Sequence, residues 1–305
     1  MHVILGANGV IARELSAALA ARGARIRQVS RNPRPVDPGD ETHPADLTDA
    51  AATAAAVEGA RIAYLVAGLK YDAAVWAEAW PKIMRNAIDG CARAGCRLVF
   101  FDNVYAYGRV EGPMTEDTPF NPCSRKGAVR ARIATMLLEA MRAGTVEGMI
   151  LRAPDFYGPG ATRSFPHAMV FECLRAGRTP QWLGNPAAAH AFIFTPDAGR
   201  AVAAIAAEPA AWGATWHLPT SDEAMSGAIF VRTACGLAGR PFGMRTVPRW
   251  LLRLLGLVNP VLRENDEMMY QFEYDYRFDS ARVRTTFGLA PTSYRDGIAA
   301  CLAAR

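Results

Sequence analysis

The first twenty residues carry the feature that most constrains the fold, a glycine-rich turn between a short apolar run and a helical pattern. The apolar run ends at Leu5, the turn reads Gly6-Ala7-Asn8-Gly9, and apolar residues recur at helical spacing from Ile11 onward. This order predicts a strand, a tight turn and a helix. Glycine lets backbone N–H groups approach a pyrophosphate, and the N-terminus of the helix behind it favours negative charge. The segment therefore predicts a dinucleotide-binding turn, lined by Gly6, Asn8, Gly9, Val10 and Ile11.

Strand-like and helix-like segments alternate from residue 1 to about residue 142. Further strands are predicted at 24–29, 61–66, 96–101 and 148–151, and helices at 49–58 and 73–94. Residues 32–44 hold four prolines and are predicted to form a loop. In the helix at 73–94, Trp76 and Trp80 share a face that we expect to pack against the sheet. The alternation is typical of an α/β protein with a doubly wound parallel sheet, the Rossmann arrangement.

Domain organisation follows from where this alternation stops. Residues 1–155, with a return segment at about 190–212, are predicted to form the dinucleotide-binding domain. Residues 156–189 and 213–305 are predicted to form a smaller substrate-binding lobe, in which the arginine-rich stretch 249–253 makes a solvated helix face. Aromatic residues and methionines of the C-terminal part are expected to be core more than substrate pocket. They are Trp182, Trp212, Trp216, Trp250, Met268, Met269, Tyr270 and Phe272.

Residues at the carboxyl ends of the parallel strands are candidate ligand contacts, because ligands of such sheets bind beyond those ends. Arg31 follows the second predicted strand. At that place an acidic residue binds the ribose 2′-hydroxyl of NAD, whereas an arginine accommodates the 2′-phosphate of NADP. Arg31 therefore favours NADP, and NAD is the less favoured cofactor. Ala67 and Gly68 follow another strand and are further candidate cofactor contacts.

Composition limits the classes of partner. Hydrophobic residues make up 51% and charged residues 21% of the 305 positions, and the net charge is +5 with scattered arginines. These values are ordinary for a globular enzyme and give little support for nucleic-acid binding. The longest apolar runs are too short to span a membrane, and the six cysteines show no metal-ligand spacing. We therefore predict a cytoplasmic protein that acts on a small-molecule substrate, without a metal, nucleic-acid or membrane partner.

Seven segments carry a family resemblance, at 6–12, 46–47, 104–108, 115–119, 151–160, 192–197 and 279–291. Together they resemble the extended or atypical short-chain dehydrogenases/reductases, the class that includes sugar-nucleotide epimerases and dehydratases. The resemblance covers most of the chain. It implies that Asp46 and Leu47 contact the cofactor, and that the chain forms a homodimer through a helix pair that often serves this purpose in the family.

The chemistry of that family uses a serine or threonine near the end of the fifth strand and a Tyr-x-x-x-Lys pair on the next helix. The tyrosine transfers a proton, while the lysine makes the tyrosine more acidic and holds the nicotinamide ribose. By position, the serine corresponds to Asn103, the tyrosine to Lys126 and the lysine to Arg130. Because all three are replaced, the usual mechanism does not carry over to this sequence.

Lys126 is the proton donor in the first of three open accounts. Burial and the nearby cation Arg130 would make its ammonium group a better acid, as some atypical relatives of the superfamily suggest. Arg130 would hold the ribose, and the amide of Asn103 would polarise a carbonyl.

A tyrosine supplies the proton in the second account, either Tyr105, Tyr107 or Tyr157. Tyr107 and Tyr157 precede glycines in motifs where the family often has an aromatic residue for shape, which favours Tyr105. In the third account the protein binds or senses NADP without turnover.

The sequence favours an enzyme, because its C-terminal part is larger than a sensor needs. We predict an NADP-dependent oxidoreductase that acts on a small carbonyl, imine or alcohol. The alternatives are an epimerase or dehydratase of a sugar-like substrate, and a non-catalytic NADP-sensing regulator. Candidate substrate contacts are Asp155, where the family often has an asparagine that touches substrate, together with Tyr157 and His190.

Overall fold

A computed structural model describes residues 1–304 as an alternation of strands and helices. The strands are β1 (His2–Leu5), β2 (Ile26–Ser30), β3 (Glu41–Pro44), β4 (Ile62–Leu65), β5 (Arg97–Asn103), β6 (Pro113–Met114), β7 (Gly148–Ala153), β8 (Asp155–Tyr157), β9 (Gln181–Leu183), β10 (Phe192–Phe194), β11 (Thr215–His217), β12 (Arg245–Val247) and β13 (Arg277–Phe278). The α-helices are α1 (Val10–Ala20), α2 (Ala50–Val57), α3 (Ala73–Ala94), α4 (Arg125–Arg142), α5 (Glu172–Arg175), α6 (Thr195–Ile205), α7 (Gly227–Leu237), α8 (Arg249–Gly256), α9 (Pro260–Asp266), α10 (Tyr270–Glu273), α11 (Ala281–Phe287) and α12 (Tyr294–Ala303).

The central sheet contains, among residues 1–304, seven parallel strands in the order β11-β7-β5-β4-β1-β2-β3. Leu5 at the end of β1 lies opposite both Val29 of β2 and Leu65 of β4. The chain thus winds outward from β1 in both directions. Every residue of β4 and β7 is buried, as expected for a parallel sheet covered on both faces. The predicted α/β class with a doubly wound sheet is confirmed.

Helix α3 has the predicted bounds, and its ends explain why. The Asp72 carboxylate accepts hydrogen bonds from the N–H groups of Ala74 and Val75 at 3.0 and 3.2 Å, which caps the first turn. Gly95 then adopts a left-handed φ of 62° and ends the helix. Trp76 and Trp80 are 6% and 2% exposed, so the predicted core role of both side chains is confirmed.

The predicted loop at 32–44 is wrong for its last four residues, which form the edge strand β3. Arg27 of β2 lies opposite Glu41 of β3, and their side chains form an ion pair at 3.2 Å. The side chains of β3 are half-buried or exposed, so the strand has no apolar pattern for sequence analysis to detect. Pro44 is tolerated because an edge strand pairs on one side only.

The described chain divides into two compact units. Unit 1 comprises residues 1–106, 125–153 and 198–218 and contains the central sheet. Unit 2 comprises residues 107–124, 154–197 and, within the described part, 219–304. It includes residues 107–124, which the predicted boundary at 155 assigns to the dinucleotide-binding domain.

Unit 2 has an aromatic core of its own. Trp182, Met269 and Phe272 lie in this core, in agreement with the expectation for the C-terminal aromatic residues. Trp250 does not follow that expectation, because its side chain is 67% exposed.

Helix α6 approaches α1 closely at Gly199, where an added Cβ would lie 2.5 Å from the carbonyl carbon of Glu14. An added Cβ at Gly236 in α7 would meet no atom within 4 Å. We expect Gly199→Ala to lower the free energy of unfolding by about 1–3 kcal/mol, because the backbones must separate. Gly236→Ala should raise it by about 0.5–1 kcal/mol, because alanine loses less conformational entropy in a helix. Urea denaturation measures both changes, and equal effects would contradict the close approach of the two helices.

Candidate cofactor and catalytic site

The glycine turn brings the ends of β1 and β4 together backbone to backbone. Gly6 has a φ of +106°, and its N–H donates to the carbonyl oxygen of Val29 at 2.9 Å. A Cβ at Gly6 would lie 2.5 Å from the nitrogen of Ala67. Only glycine fits both the angle and the space. The structure therefore places the predicted contacts Gly6 and Ala67 side by side.

Helix α1 begins immediately behind this turn. Gly9 is its N-cap residue in an extended conformation, and no side chain among residues 1–304 makes a cap hydrogen bond there. Asn8 and Gly9 are exposed, Val10 is half-buried, and Ile11 is buried beneath them. The N–H groups of the first turn can therefore serve a ligand anion. The glycines of the turn and the uncapped N-terminus of α1 fit the pyrophosphate of a dinucleotide.

Asn8 ties the turn to the loop after β2. It adopts a left-handed φ of 77°. Its Nδ2 donates to the carbonyl oxygen of Asn32 at 2.8 Å, and its Oδ1 accepts from the backbone N–H of Arg34 at 3.1 Å. The side chains of Arg31 and Arg34 in this loop are exposed. The side chain of Asn8 thus fixes two cationic residues relative to the glycine turn.

Asp46 follows β3, and its side chain is held by Thr48. The backbone N–H and the hydroxyl of Thr48 donate to its Oδ1 at 2.9 and 2.8 Å. These hydrogen bonds hold the pKa of Asp46 below its usual value, and the charge of Arg31 acts in the same direction. Leu47 is buried, and its carbonyl oxygen accepts from Nδ2 of Asn86 at 3.0 Å. Asp46 is therefore ionised at neutral pH, beside an exposed arginine.

Asp102 forms a buried ionic network with two arginines. Its Oδ1 accepts from Nε and NH2 of Arg130 at 2.8 and 2.5 Å, and its Oδ2 accepts from Nε of Arg152 at 3.1 Å. The exposed fractions of Asp102, Arg130 and Arg152 are 1%, 4% and 2%. The guanidinium of Arg130 also lies 4.6 Å from the ring centre of Trp80 and 4.9 Å from that of Phe100.

This network changes the expectation for Arg130. The sequence account treats it as a cation that acts on Lys126, but the carboxylate of Asp102 offsets its charge at contact distance. Asp102 and Arg152 have no role in the sequence analysis, although both lie near the carboxyl ends of adjacent strands, β5 and β7. Their pairing has no local signal, because 28 and 50 residues separate Asp102 from its two partners. The predicted contact of Arg130 with a ribose stays a prediction.

Lys126 lies in the first turn of α4, one turn before Arg130, and its side chain is fully buried. Its Nζ is 4.5 Å from the ring centre of Tyr71. The face of an aromatic ring attracts an ammonium group, so the Tyr71 ring is a favourable neighbour for the Lys126 side chain.

Tyr105 and Asn103 lie where β5 ends. The Oδ1 of Asn103 accepts the backbone N–H of Tyr105 at 3.1 Å. The amide Nδ2 of Asn103 is then the group able to donate to a ligand. The half-buried ring of Tyr105 stacks on Trp76, with 6.4 Å between ring centres. Lys126, Asn103 and Tyr105 all belong to unit 1, as do the predicted cofactor contacts.

Asp155 and His190 form a pair in unit 2, with 3.1 Å between Oδ2 and Nε2. The imidazole is 2% exposed and stacks against Phe192 and Phe272, with ring centres 4.5 and 4.7 Å away. The Asp155 side chain is 18% exposed. Sequence analysis named the two residues separately, and the structure joins them. Their predicted role as substrate contacts stays a prediction.

Tyr157 is corrected from substrate contact to core residue. Its side chain is 1% exposed, and an added Cβ at Gly297 would overlap its ring. Burial raises the pKa of the Tyr157 hydroxyl far above its ordinary value, which makes it a poor proton donor. Tyr107 is equally buried. These positions agree with the role in shape that the family resemblance implies for both tyrosines.

Two negative findings apply to the part of the chain that the structure describes. None of its helices is long and apolar enough to cross a membrane. No three of its His, Cys, Asp or Glu side chains converge in a way that could hold a metal ion.

The buried network predicts a large effect on stability. Asp102→Asn removes the negative charge between two buried guanidinium groups, and we expect it to lower the free energy of unfolding by about 3–5 kcal/mol. The matched control is Glu78→Gln, which breaks an exposed ion pair with Lys82 at 3.1 Å. That control should change stability by about 0.5 kcal/mol or less. Denaturation of both variants in urea tests the difference, and a loss below about 1 kcal/mol for Asp102→Asn would contradict a structural role for the network.

Comparison with known proteins assigns these features to a family. The model of the "NAD dependent epimerase/dehydratase family" matches residues 2–216. The 3-diazoavenalumate denitrifying reductase of a Streptomyces species is 28% identical over 314 residues, which cover 97% of this chain and 98% of that protein.

Solved structures of similar fold include two enzymes that act on sugar nucleotides. The dTDP-glucose 4,6-dehydratase of Streptomyces venezuelae, solved with NAD bound, has a TM-score of 0.81 at 18% identity and covers 99% of this chain and 95% of its own. The UDP-glucose 4-epimerase of Thermus thermophilus in complex with NAD has a TM-score of 0.78 at 18% identity, with coverage of 99% and 98%.

Proposed function

The chain belongs to the NAD-dependent epimerase/dehydratase family, and on this premise we propose that it is an NADP-dependent oxidoreductase of a small carbonyl, imine or alcohol. The family resemblance predicted from the motifs is thereby confirmed. Membership makes the protein an enzyme that uses a nicotinamide cofactor. The full-length similarity to a reductase supports net reduction as the reaction. The proposal has three parts, namely the preference for NADP over NAD, the identity of the proton donor and the class of substrate.

The preference for NADP is supported by charge at the end of β2. Arg31 and Arg34 are exposed in the loop that Asn8 fixes beside the glycine turn. A 2′-phosphate needs charge-assisted donors, and an arginine presents several in a planar group. Arg31 is the residue on which the proposal depends most.

Replacement of Arg31 tests the cofactor assignment. We expect Arg31→Ala to weaken NADPH binding roughly 10- to 100-fold, because a charge-assisted contact is lost, and to change NADH binding little. Fluorescence titration of both cofactors measures the two affinities. Arg25→Ala is the matched control, since Arg25 precedes the same strand and its side chain is 80% exposed. Equal losses for NADPH and NADH would contradict the 2′-phosphate assignment.

The proton donor is proposed to be Lys126. The nicotinamide ring supplies or accepts the hydride when the cofactor is bound. The ammonium group of Lys126 donates a proton to the oxygen or nitrogen atom of the substrate that gains charge during reduction, and the same amine recovers a proton in the reverse direction. The Nδ2 of Asn103 donates a hydrogen bond to that substrate atom. The observation that carries this assignment is the complete burial of Lys126 in the turn of α4 that matches the family's tyrosine.

Removal of the Lys126 amine should separate chemistry from binding. Lys126→Met keeps most of the buried volume, so we expect turnover to fall at least about 100-fold while the NADPH affinity stays nearly unchanged. Lys82→Met, at an exposed position of α3, is the control and should leave both quantities unchanged. Steady-state kinetics with a panel of carbonyl and imine compounds measures turnover. If activity survives Lys126→Met and disappears in Tyr105→Phe, the proton donor is Tyr105.

A second candidate is an epimerase or dehydratase, favoured by the names of the solved structures with similar fold. Such an enzyme returns its cofactor to the starting oxidation state in each cycle. Net oxidation of NADPH during turnover therefore distinguishes the proposed reductase from this candidate. A sensing role without turnover predicts neither net oxidation nor conversion of a sugar nucleotide.

A further inference from the structure

Helix α8 and the turn after it present an exposed apolar stripe, which consists of Trp250, Leu254, Leu257 and Val258. Their exposed fractions are 67%, 57%, 77% and 84%. The spacing of these positions places them on one side of a helix, and Leu257 still has helical backbone angles. Large apolar side chains grouped in this way on a surface mark an interaction site.

The opposite side of α8 is firmly packed. Leu252 is 2% exposed, and an added Cβ at Gly256 would lie 3.1 Å from the Cα of Arg263 in α9. Arg249 and Arg253 both donate to Asp266 of α9, at 2.7 and 3.0 Å. The expectation that 249–253 makes a solvated helix face is confirmed for Arg253, whose side chain is 59% exposed. The same exposed surface also carries the apolar side chain of Trp250, which that expectation did not include.

Arginines outnumber acidic residues around the stripe. Residues 224–267 contain six arginines and no lysine, and their three acidic residues, Glu264, Asp266 and Glu267, come at the end of the segment. Asp266 is engaged by Arg249 and Arg253, and Glu264 and Glu267 are half-buried. Arg245, which precedes α8, and Arg263, which lies in α9 beside Gly256, are exposed. An apolar stripe flanked by exposed cations is complementary to a surface with an apolar interior and anionic groups above it.

We propose that the α8–α9 hairpin binds the surface of an anionic lipid bilayer, with the apolar stripe inserted below the headgroups. An amphipathic helix of tryptophan, leucine and arginine has the composition of an interfacial helix. A second copy of the chain suits the stripe less well, because a two-fold contact would bring the same arginines of both copies together. The sequence prediction of no membrane partner rests on the length of apolar runs, which bears on helices that span a bilayer and leaves surface binding open. The proposal does not depend on the proposed function.

Vesicle sedimentation with the full-length protein tests this proposal. We expect binding to vesicles of phosphatidylcholine with phosphatidylglycerol, weaker binding at high salt, and little binding to phosphatidylcholine alone. The double variant Leu254→Ser/Leu257→Ser should lower the partition coefficient roughly tenfold or more. Arg263→Gln should lower it roughly fivefold, because one cation near an anionic surface contributes about 1 kcal/mol. Val36→Ser is the control, since Val36 is a 41% exposed apolar residue outside the hairpin and should leave binding unchanged.

A second measurement locates the insertion. Tryptophan emission should shift to shorter wavelength when anionic vesicles are added, and Trp250→Phe should remove most of that shift. Circular dichroism and cofactor affinity verify that each variant is folded. Absence of binding to the anionic vesicles, or binding that the double variant retains, overturns the proposal. A concentration-dependent dimer that the double variant abolishes, without lipid binding, overturns it in favour of a second copy.

Discussion

The carboxylate of Asp102 is the constraint on which the packing of α4 against β5 and β7 depends. A buried carboxylate needs cations and hydrogen bonds at contact distance, and Arg130 and Arg152 supply them from α4 and β7. The network therefore fixes α4 against the end of β5. Lys126 lies one turn earlier on the same helix, so the network also holds the backbone that carries its amine.

The same network explains why arginine suits position 130. A guanidinium is planar, so it can direct two donors at Asp102 while its face packs on Trp80 and Phe100. A lysine offers a compact charge without either feature. The replacement of the family's lysine by arginine is thus matched by an acidic residue at the end of β5. The family's tyrosine position is held by a buried lysine, which accepts the face of Tyr71 as a neighbour.

The proposed cofactor turn and the proposed proton donor have separate physical supports in unit 1. The first relies on backbone, since Gly6 fits against Ala67 and the N-terminus of α1 carries no side-chain cap among the described residues. The second relies on side chains at β5 and α4. The glycine turn and the side chains at β5 and α4 are different residues. Substitutions at β5 and α4 can therefore change the reaction while the glycine turn is retained. This separation is why the glycine turn identifies a nicotinamide cofactor and leaves the reaction to other residues.

The amino-acid sequence by itself determined the doubly wound sheet, the glycine turn and helix α3. Each follows from local rules, namely apolar periodicity, the conformational freedom of Gly6 and the capping of a helix by Asp72. Only the tertiary structure decided that β3 is a strand, since an edge strand of polar residues is defined by its partner and has no pattern of its own.

The partners of the charged residues were likewise decided in three dimensions. Asp102 meets Arg130 and Arg152, and Asp155 meets His190, because the parallel crossovers bring distant strand ends to one place. The exposure of Trp250 was also decided by the tertiary structure, since the sequence analysis expected this residue to be part of the core. Helix α8 buries Leu252 and packs on α9 through Gly256 and the ion pair of Arg249 with Asp266, and this orientation leaves the tryptophan at the surface.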